Sequence, residues 1–168
     1  MVALFIWTIN MRHWLFKSEP SCFSIDDLKK LPRHTTFWDG VRNYQARNML
    51  RDEIKKGDLA FFYHSNATPP GIAGIMEIVK DGYPDFTAWD IQSEHFDNKS
   101  TEERPLWYMV DVRFVEKFKR FVSLEELKAT AALKNMVTIR PGNRLSITPV
   151  TEKEWDVITN LSNTTTHP

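Results

Sequence analysis

Apolar and polar positions mark out a series of short elements along this chain. His13-Trp14-Leu15-Phe16-Lys17 reads as a first strand, closed by Pro20, which cannot donate to a ladder. Ser24-Ile25-Asp26-Asp27 places an acid three residues after a hydroxyl, a capping-box opening. It predicts a helix over 25–31 that stops before Pro32. Thr35 to Trp38 is extended by its β-branched and aromatic composition, and Asp39-Gly40 forms a turn. Ala46, Met49, Leu50 and Ile54 fall at helical spacing, predicting a second helix from about Arg42 to Ile54, with Gly57 as its stop.

Strands follow. Leu59 to His64 is almost continuously apolar, the pattern of a strand buried on both faces. Gly71 to Val79 is another, which Asp81-Gly82 and Tyr83-Pro84-Asp85 are expected to break. The longest runs from Trp107 to Val122, where Tyr108, Val110, Val112 and Phe114 alternate with Trp107, Met109, Asp111 and Arg113. Ser123 caps a short helix, Arg144 to Thr148 reads as a late strand, and Thr151-Glu152-Lys153-Glu154 opens a last helix to about Leu161. Small helices wedged between short strands, without βαβ alternation, give an α+β class. The architecture expected is a curled sheet or open barrel with peripheral helices, not a doubly wound sheet.

Composition refines this picture. At 168 residues the chain is expected to hold one domain. Its 22 basic residues cancel its 22 acidic ones, which argues against gripping nucleic acid by bulk charge but leaves room for a local basic face. Cys22 is the only cysteine, so neither an intramolecular disulfide nor a multi-cysteine zinc site can form. Residues 2–9 form an apolar run far short of the roughly 20 residues that span a bilayer. Met11 begins a more ordinary sequence, so residues 1–10 read as an extension or an extra strand, and 162–168 as a disordered tail. No membrane partner is expected, and the location expected is cytoplasmic, or nuclear in a eukaryote. The 6 tryptophans ask for a role beyond filling a core.

Searches for catalytic patterns fail. The histidines at 13, 34, 64, 95 and 167 form no HExxH, and no dinucleotide or phosphate-loop glycine motif occurs. Gly71-Ile72-Ala73-Gly74 lies within a strand, where close backbone packing explains it. No metal site and no cofactor are expected. Three segments stand out instead. Lys17-Ser18-Glu19-Pro20 sets a cation, a hydroxyl and a carboxylate at a strand end, suited to a small site or equally to a surface ion pair and turn. Trp38-Asp39-Gly40-Val41-Arg42-Asn43-Tyr44 joins an aromatic strand end to a helix N-terminus, a geometry that binds anions. Arg47 and Arg51 lie four apart on that helix, as a basic stripe or as a solvated face paired with Asp52 and Glu53. His64-Ser65-Asn66, Asp85 to Asp90 with Trp89, and Arg104 to Trp107 put tryptophans or polar side chains where apolar runs end. Such aromatics can stack on a base or serve as packing. Cys22 reads as a small core or turn residue.

The opening Trp14-Leu15-Phe16-Lys17-Ser18-Glu19-Pro20 resembles that of EVE domains, members of the PUA-like superfamily. The resemblance continues through 38–48, Phe62 to Asn66, Gly71 to Gly74, Tyr83-Pro84-Asp85, Arg104-Pro105 with Trp107, and Arg144-Leu145-Ser146 with Pro149-Val150. It covers about residues 12 to 159, and the domain is placed at 11–161. It implies a PUA-like barrel-like fold and a pocket that reads a modified base, such as 5-methylcytosine or its oxidised forms, in nucleic acid. By position, Lys17, Ser18, Glu19, Pro20, Trp38, Asp39, Gly40, Val41, Asn43, Tyr44, Ser65 and Asn66 would line or support that pocket, with Trp89 and Trp107 as further members. Arg42, Arg47 and Arg144 would meet phosphate or backbone. Phe16 stands where relatives often carry Met or another apolar residue. The leading expectation is a reader without chemistry of its own. Two alternatives remain open: a nucleic-acid-processing enzyme such as an ASCH-like ribonuclease, with Lys17 and Glu19 as acid–base partners, and a protein-interaction module built on exposed tryptophans.

Overall fold

The computed structural model describes residues 10–164. The expectations for residues 2–9, including Trp7, and for 165–168 lie outside them. Six strands and four helices follow one another as β1 (His13–Ser18), α1 (Ile25–Lys30), β2 (Thr35–Trp38), α2 (Tyr44–Asn48), β3 (Leu59–His64), β4 (Gly71–Pro84), β5 (Tyr108–Ser123), α3 (Leu124–Ala129), β6 (Ile147–Val150) and α4 (Glu152–Asn163). The strands form one curled, open sheet in the order β2-β5-β4-β3-β1-β6. Neighbours are antiparallel except β1 and β3, which run parallel, Trp14 opposite Ala60 and Ser18 opposite His64. The α+β class holds and the sheet is not a closed barrel. The one parallel pair is a crossover that the sequence pattern did not display, because α1, β2 and α2 between its strands are short.

Both faces of the central strands are covered, as the continuous apolar runs require. Trp14, Phe16, Ala60 and Phe62 point to one side, where Ile25 and Leu28 of α1, Ala46 of α2 and Leu50 pack. Leu15, Phe61 and Tyr63 point to the other, under Trp155 and Ile158 of α4 and Leu127 of α3. The helices start where the hydroxyl caps lie: Ser24 and Thr151 form complete capping boxes, and Ser123 accepts from the Glu126 N–H.

Four boundaries differ from expectation. β4 continues through Asp81-Gly82 and Tyr83-Pro84, absorbing them in register shifts between Ile78 and Tyr83. Gly82 fits there because a Cβ would sit 2.0 Å from the Leu50 carbonyl oxygen, and the Tyr83 hydroxyl bonds Asp111 across the pair. The second helix begins at Tyr44, not Arg42, because the Asn43 side chain caps it; it then widens into a π turn over Met49–Glu53. β6 begins at Ile147, three residues after Arg144, since Asn143 Oδ1 draws the Leu145 N–H into a local turn. α4 extends to Asn163, with Ser162 buried and its hydroxyl on the Thr159 carbonyl, so residues 162 and 163 are helical where a tail was expected. Among the described residues no helix is long and apolar enough to cross a membrane.

Candidate functional site

β1 delivers Lys17 and Ser18 to the end of the sheet, and the chain then closes a tight turn on itself. The N–H groups of Cys22 and Phe23 both donate to the Glu19 carbonyl, at 2.9 Å each. The Ser18 hydroxyl donates to the Phe23 carbonyl at 2.7 Å. Asn66, held at φ 48°, donates to the Glu19 carboxylate at 2.5 Å, and the Ser65 N–H donates to the Ser18 carbonyl at 3.0 Å. Glu19 and Asn66 thus tie two loops together beside the strand end.

A second wall comes from β2, which ends at Trp38. That indole is 8% exposed and meets Phe16, Phe23 and Phe62 edge-to-face, at interplanar angles of 73–79°. Beyond it, Gly40 adopts φ +77° and donates its N–H to Asp85 Oδ2 at 3.0 Å. The Asp85 side chain is wholly buried and also accepts from Arg42 (2.8 Å) and from the N–H and hydroxyl of Thr87 (2.9 and 2.6 Å). Burial raises the Asp85 pKa, but the hydrogen bonds from Thr87, Arg42 and Gly40 outweigh it and hold the carboxyl below its ordinary value. Arg42 in turn donates through Nε and Nη2 to the His95 carbonyl, at 3.2 and 2.6 Å. The imidazole lies against Gly40, where a Cβ would come within 2.6–2.8 Å of three ring atoms. The glycine is therefore required both by its dihedral angle and by the ring.

Between these walls is a cavity of about 370 Å³, inside the roughly 300–1,000 Å³ range of small-molecule sites. Lys17, Ser18, Cys22 and Phe23 line it from β1 and its turn, Thr36, Phe37, Trp38 and Asp39 from β2, and Glu94 and His95 from the loop before β5. The Lys17 amine is half-buried, which pushes its pKa down, and it makes no ion pair among the described residues. Burial pushes the Asp39 carboxyl up, opposed by His95, whose Nε2 is 3.9 Å from Asp39 Oδ2. A planar apolar wall and a carboxylate at one cavity can hold a flat heterocycle by its face and its edge.

The sequence matches the EVE domain family over residues 12–161. The chain belongs to that family. It is 52% identical over 166 residues to human thymocyte nuclear protein 1, covering 89% of this chain and 73% of that protein. Among solved structures, human thymocyte nuclear protein 1 in complex with 5-methylcytosine-containing DNA superposes with a TM-score of 0.86 at 49% identity, covering 92% of this chain and 99% of that one. A Pseudomonas syringae protein superposes at 0.85 with 48% identity, covering 89% and 99%. The fold is accordingly PUA-like.

Of the positions singled out in this EVE domain, Lys17, Ser18, Trp38 and Asp39 line the cavity. Glu19, Pro20, Ser65 and Asn66 belong to the adjoining turns, and Gly40 lies beneath His95. Val41 is buried in the core, and Asn43 is occupied as a helix cap, accepting from the Ala46 N–H at 3.0 Å. Tyr44 is 57% exposed and stacks on Trp107 at 5.0 Å and 29°. Trp107 lines a separate cleft of about 240 Å³ that shares Glu94 and His95 with the first; Trp89 is half-buried and lines neither. The guanidinium of Arg42 is engaged by Asp85 and His95, and that of Arg47 by the Leu106 carbonyl and Asn48. Both therefore have protein partners where phosphate contacts were expected. Arg144 is exposed before β6.

Sequence reading missed Phe23, Thr36, Phe37, Glu94 and His95 as cavity residues and took Cys22 for a small core or turn residue, whereas it is exposed and lines the cavity. Tyr83-Pro84-Asp85 carried one usable signal: an acid that turns out buried. His95 carried none, sitting in a loop without periodicity.

Proposed function

We propose that this EVE domain is a reader of modified nucleic acid, taking a single extruded base such as 5-methylcytosine into the cavity beside Trp38. The observation that carries this reading is that cavity, walled by a tryptophan on which no aromatic ring of the described residues lies parallel. Extruding a base costs a few kcal/mol. Stacking on an aromatic returns about 1–3 kcal/mol per base, and edge hydrogen bonds add to it. A methyl group contributes only about 0.8 kcal/mol when buried, roughly fourfold in affinity, so the modification must be read by close apolar contact. The zero net charge suits a protein that makes few phosphate contacts, and binding should weaken only shallowly with salt. The likeness to human thymocyte nuclear protein 1, solved with 5-methylcytosine-containing DNA, supports the ligand class.

A non-catalytic role is supported by the placement of Lys17 and Glu19. The Lys17 ammonium lies over the Tyr63 ring, and the Glu19 carboxylate accepts from Asn66 and is absent from the cavity wall. An acid–base pair would need both at one reacting atom.

The test is titration of oligonucleotides, DNA and RNA, that differ only in carrying cytosine or 5-methylcytosine. Tighter binding of the modified strand, lost in Trp38→Ala, is the expected result. Equal binding of every strand, unaffected by Trp38→Ala, would refute the reading, and cleavage of the strand that disappears in Lys17→Ala would establish the enzyme instead.

A further inference from the structure

The polar groups that reach the cavity differ in what they can donate and accept. Lys17 borders the cavity, but its ammonium lies over the Tyr63 ring, 5.7 Å from the centroid. The Ser18 hydroxyl proton is already committed to the Phe23 carbonyl, so toward the cavity this side chain offers lone pairs. Asp39 reaches the cavity from the end of β2, and its side chain is 27% exposed. When ionised it is an acceptor only. Glu94 is the other acid on the wall, but its side chain is 87% exposed, so water satisfies it whatever is bound. Asp39 is thus the acid whose hydrogen bonds depend on the occupant.

We propose that Asp39 is the specificity-determining residue for the edge of the bound base, so that the cavity takes 4-aminopyrimidines and rejects 4-oxopyrimidines. This rests on the base-binding reading above. A cytosine-type ring presents a carbonyl oxygen at position 2 and an amine at position 4. The amine donates to the Asp39 carboxylate, as an acidic side chain accepts from cytosine N4 in a DNA groove. Thymine and uracil present oxygens at both positions. Either would set a carbonyl against a partly buried carboxylate and displace its hydrogen-bond donors, which is where most discrimination between isosteres arises.

The His95 imidazole lies 3.9 Å from Asp39 Oδ2 and packs on Gly40, and Arg42 clasps the His95 carbonyl. Thymine carries the same 5-methyl group as 5-methylcytosine, so an apolar pocket for the methyl cannot separate them; the edge must. Thymine is also what hydrolytic deamination of 5-methylcytosine leaves, so such a site would release a deaminated strand.

The experiment uses the full chain and three otherwise identical oligonucleotides carrying 5-methylcytosine, thymine or an abasic site at one position. The expected result is at least about tenfold tighter binding of 5-methylcytosine than of thymine. Asp39→Asn, whose amide can donate to a 4-oxygen, should collapse or invert that ratio. A fourth oligonucleotide carrying a 5-methylpyrimidin-2-one, which lacks the amine, should bind the unaltered protein as weakly as thymine and needs no substitution. Equal affinity for 5-methylcytosine and thymine, or a ratio unchanged in folded Asp39→Asn, overturns the proposal while leaving base binding standing. Affinity for every strand no better than for the abasic one overturns the base-binding reading itself.

Discussion

Trp155 and Trp38 are almost equally buried, at 7% and 8% exposure, yet their surroundings differ in kind. Trp155 of α4 lies flat on Phe61, with centroids 3.9 Å apart and an 18° interplanar angle, and His13 stacks on it at 4.4 Å and 29°. Trp38 is met only by rings that stand nearly perpendicular to it, and it borders a cavity. On one side of the sheet, aromatics complete a core that needs no ligand. On the other, the same residue type builds a wall that a flat ligand would complete. Exposure alone does not separate a structural tryptophan from a binding one; the orientation of its neighbours does.

Substitutions should break this contrast unequally. Trp155→Ala removes a stacked ring from a closed core and should cost about 3–5 kcal/mol of stability in urea unfolding, while the folded fraction binds modified DNA with little change in affinity. Asp85→Asn should cost about 1.5–3 kcal/mol, because the charge-assisted bond to Arg42 is lost beneath the cavity. The same carboxyl, depressed in the folded state, contributes stability above its unfolded pKa that is lost as pH falls through its folded one. Acid unfolding monitored below about pH 4 should therefore be shallower in Asp85→Asn than in the unaltered protein. Trp38→Leu keeps an apolar filling but removes the stacking face, and binding of a modified strand should weaken by about 1–3 kcal/mol, beyond any loss of stability. Lys117→Met, which breaks an exposed ion pair with Asp26, should change stability by less than about 1 kcal/mol and binding not at all.

Much of this was readable from residues because it rests on local rules. The capping boxes at Ser24 and Thr151 and the doubly buried run Leu59 to His64 follow from short-range hydrogen bonding and periodicity, and all three stand in the structure. Lys17, Ser18, Trp38 and Asp39 stand out in the sequence at or just after strand ends, and they line the cavity. The parallel pairing of β1 with β3 was not legible, since pairing partners are set by packing across the sheet rather than by either strand's own pattern. His95 was not legible for a related reason: its place over Gly40 is set by Arg42 and Asp85, which lie 53 and 10 positions away in a sequence that carries no mark of their convergence. Arg42 illustrates the converse error. Its position before a helix suggested phosphate, but a buried carboxylate and a backbone carbonyl claim its donors.

The central claim, that a base enters the cavity beside Trp38, can be tested with the chain's single cysteine. Cys22 is exposed, lines the cavity next to Phe23, and is the only thiol in the sequence. Its rate of alkylation can be measured with saturating oligonucleotide carrying either 5-methylcytosine or an abasic site at the same position. The structure predicts that the 5-methylcytosine strand slows alkylation severalfold, while the abasic strand leaves it close to the rate of the free protein. Tight binding of the 5-methylcytosine strand with Cys22 alkylated as fast as in the free protein would contradict it.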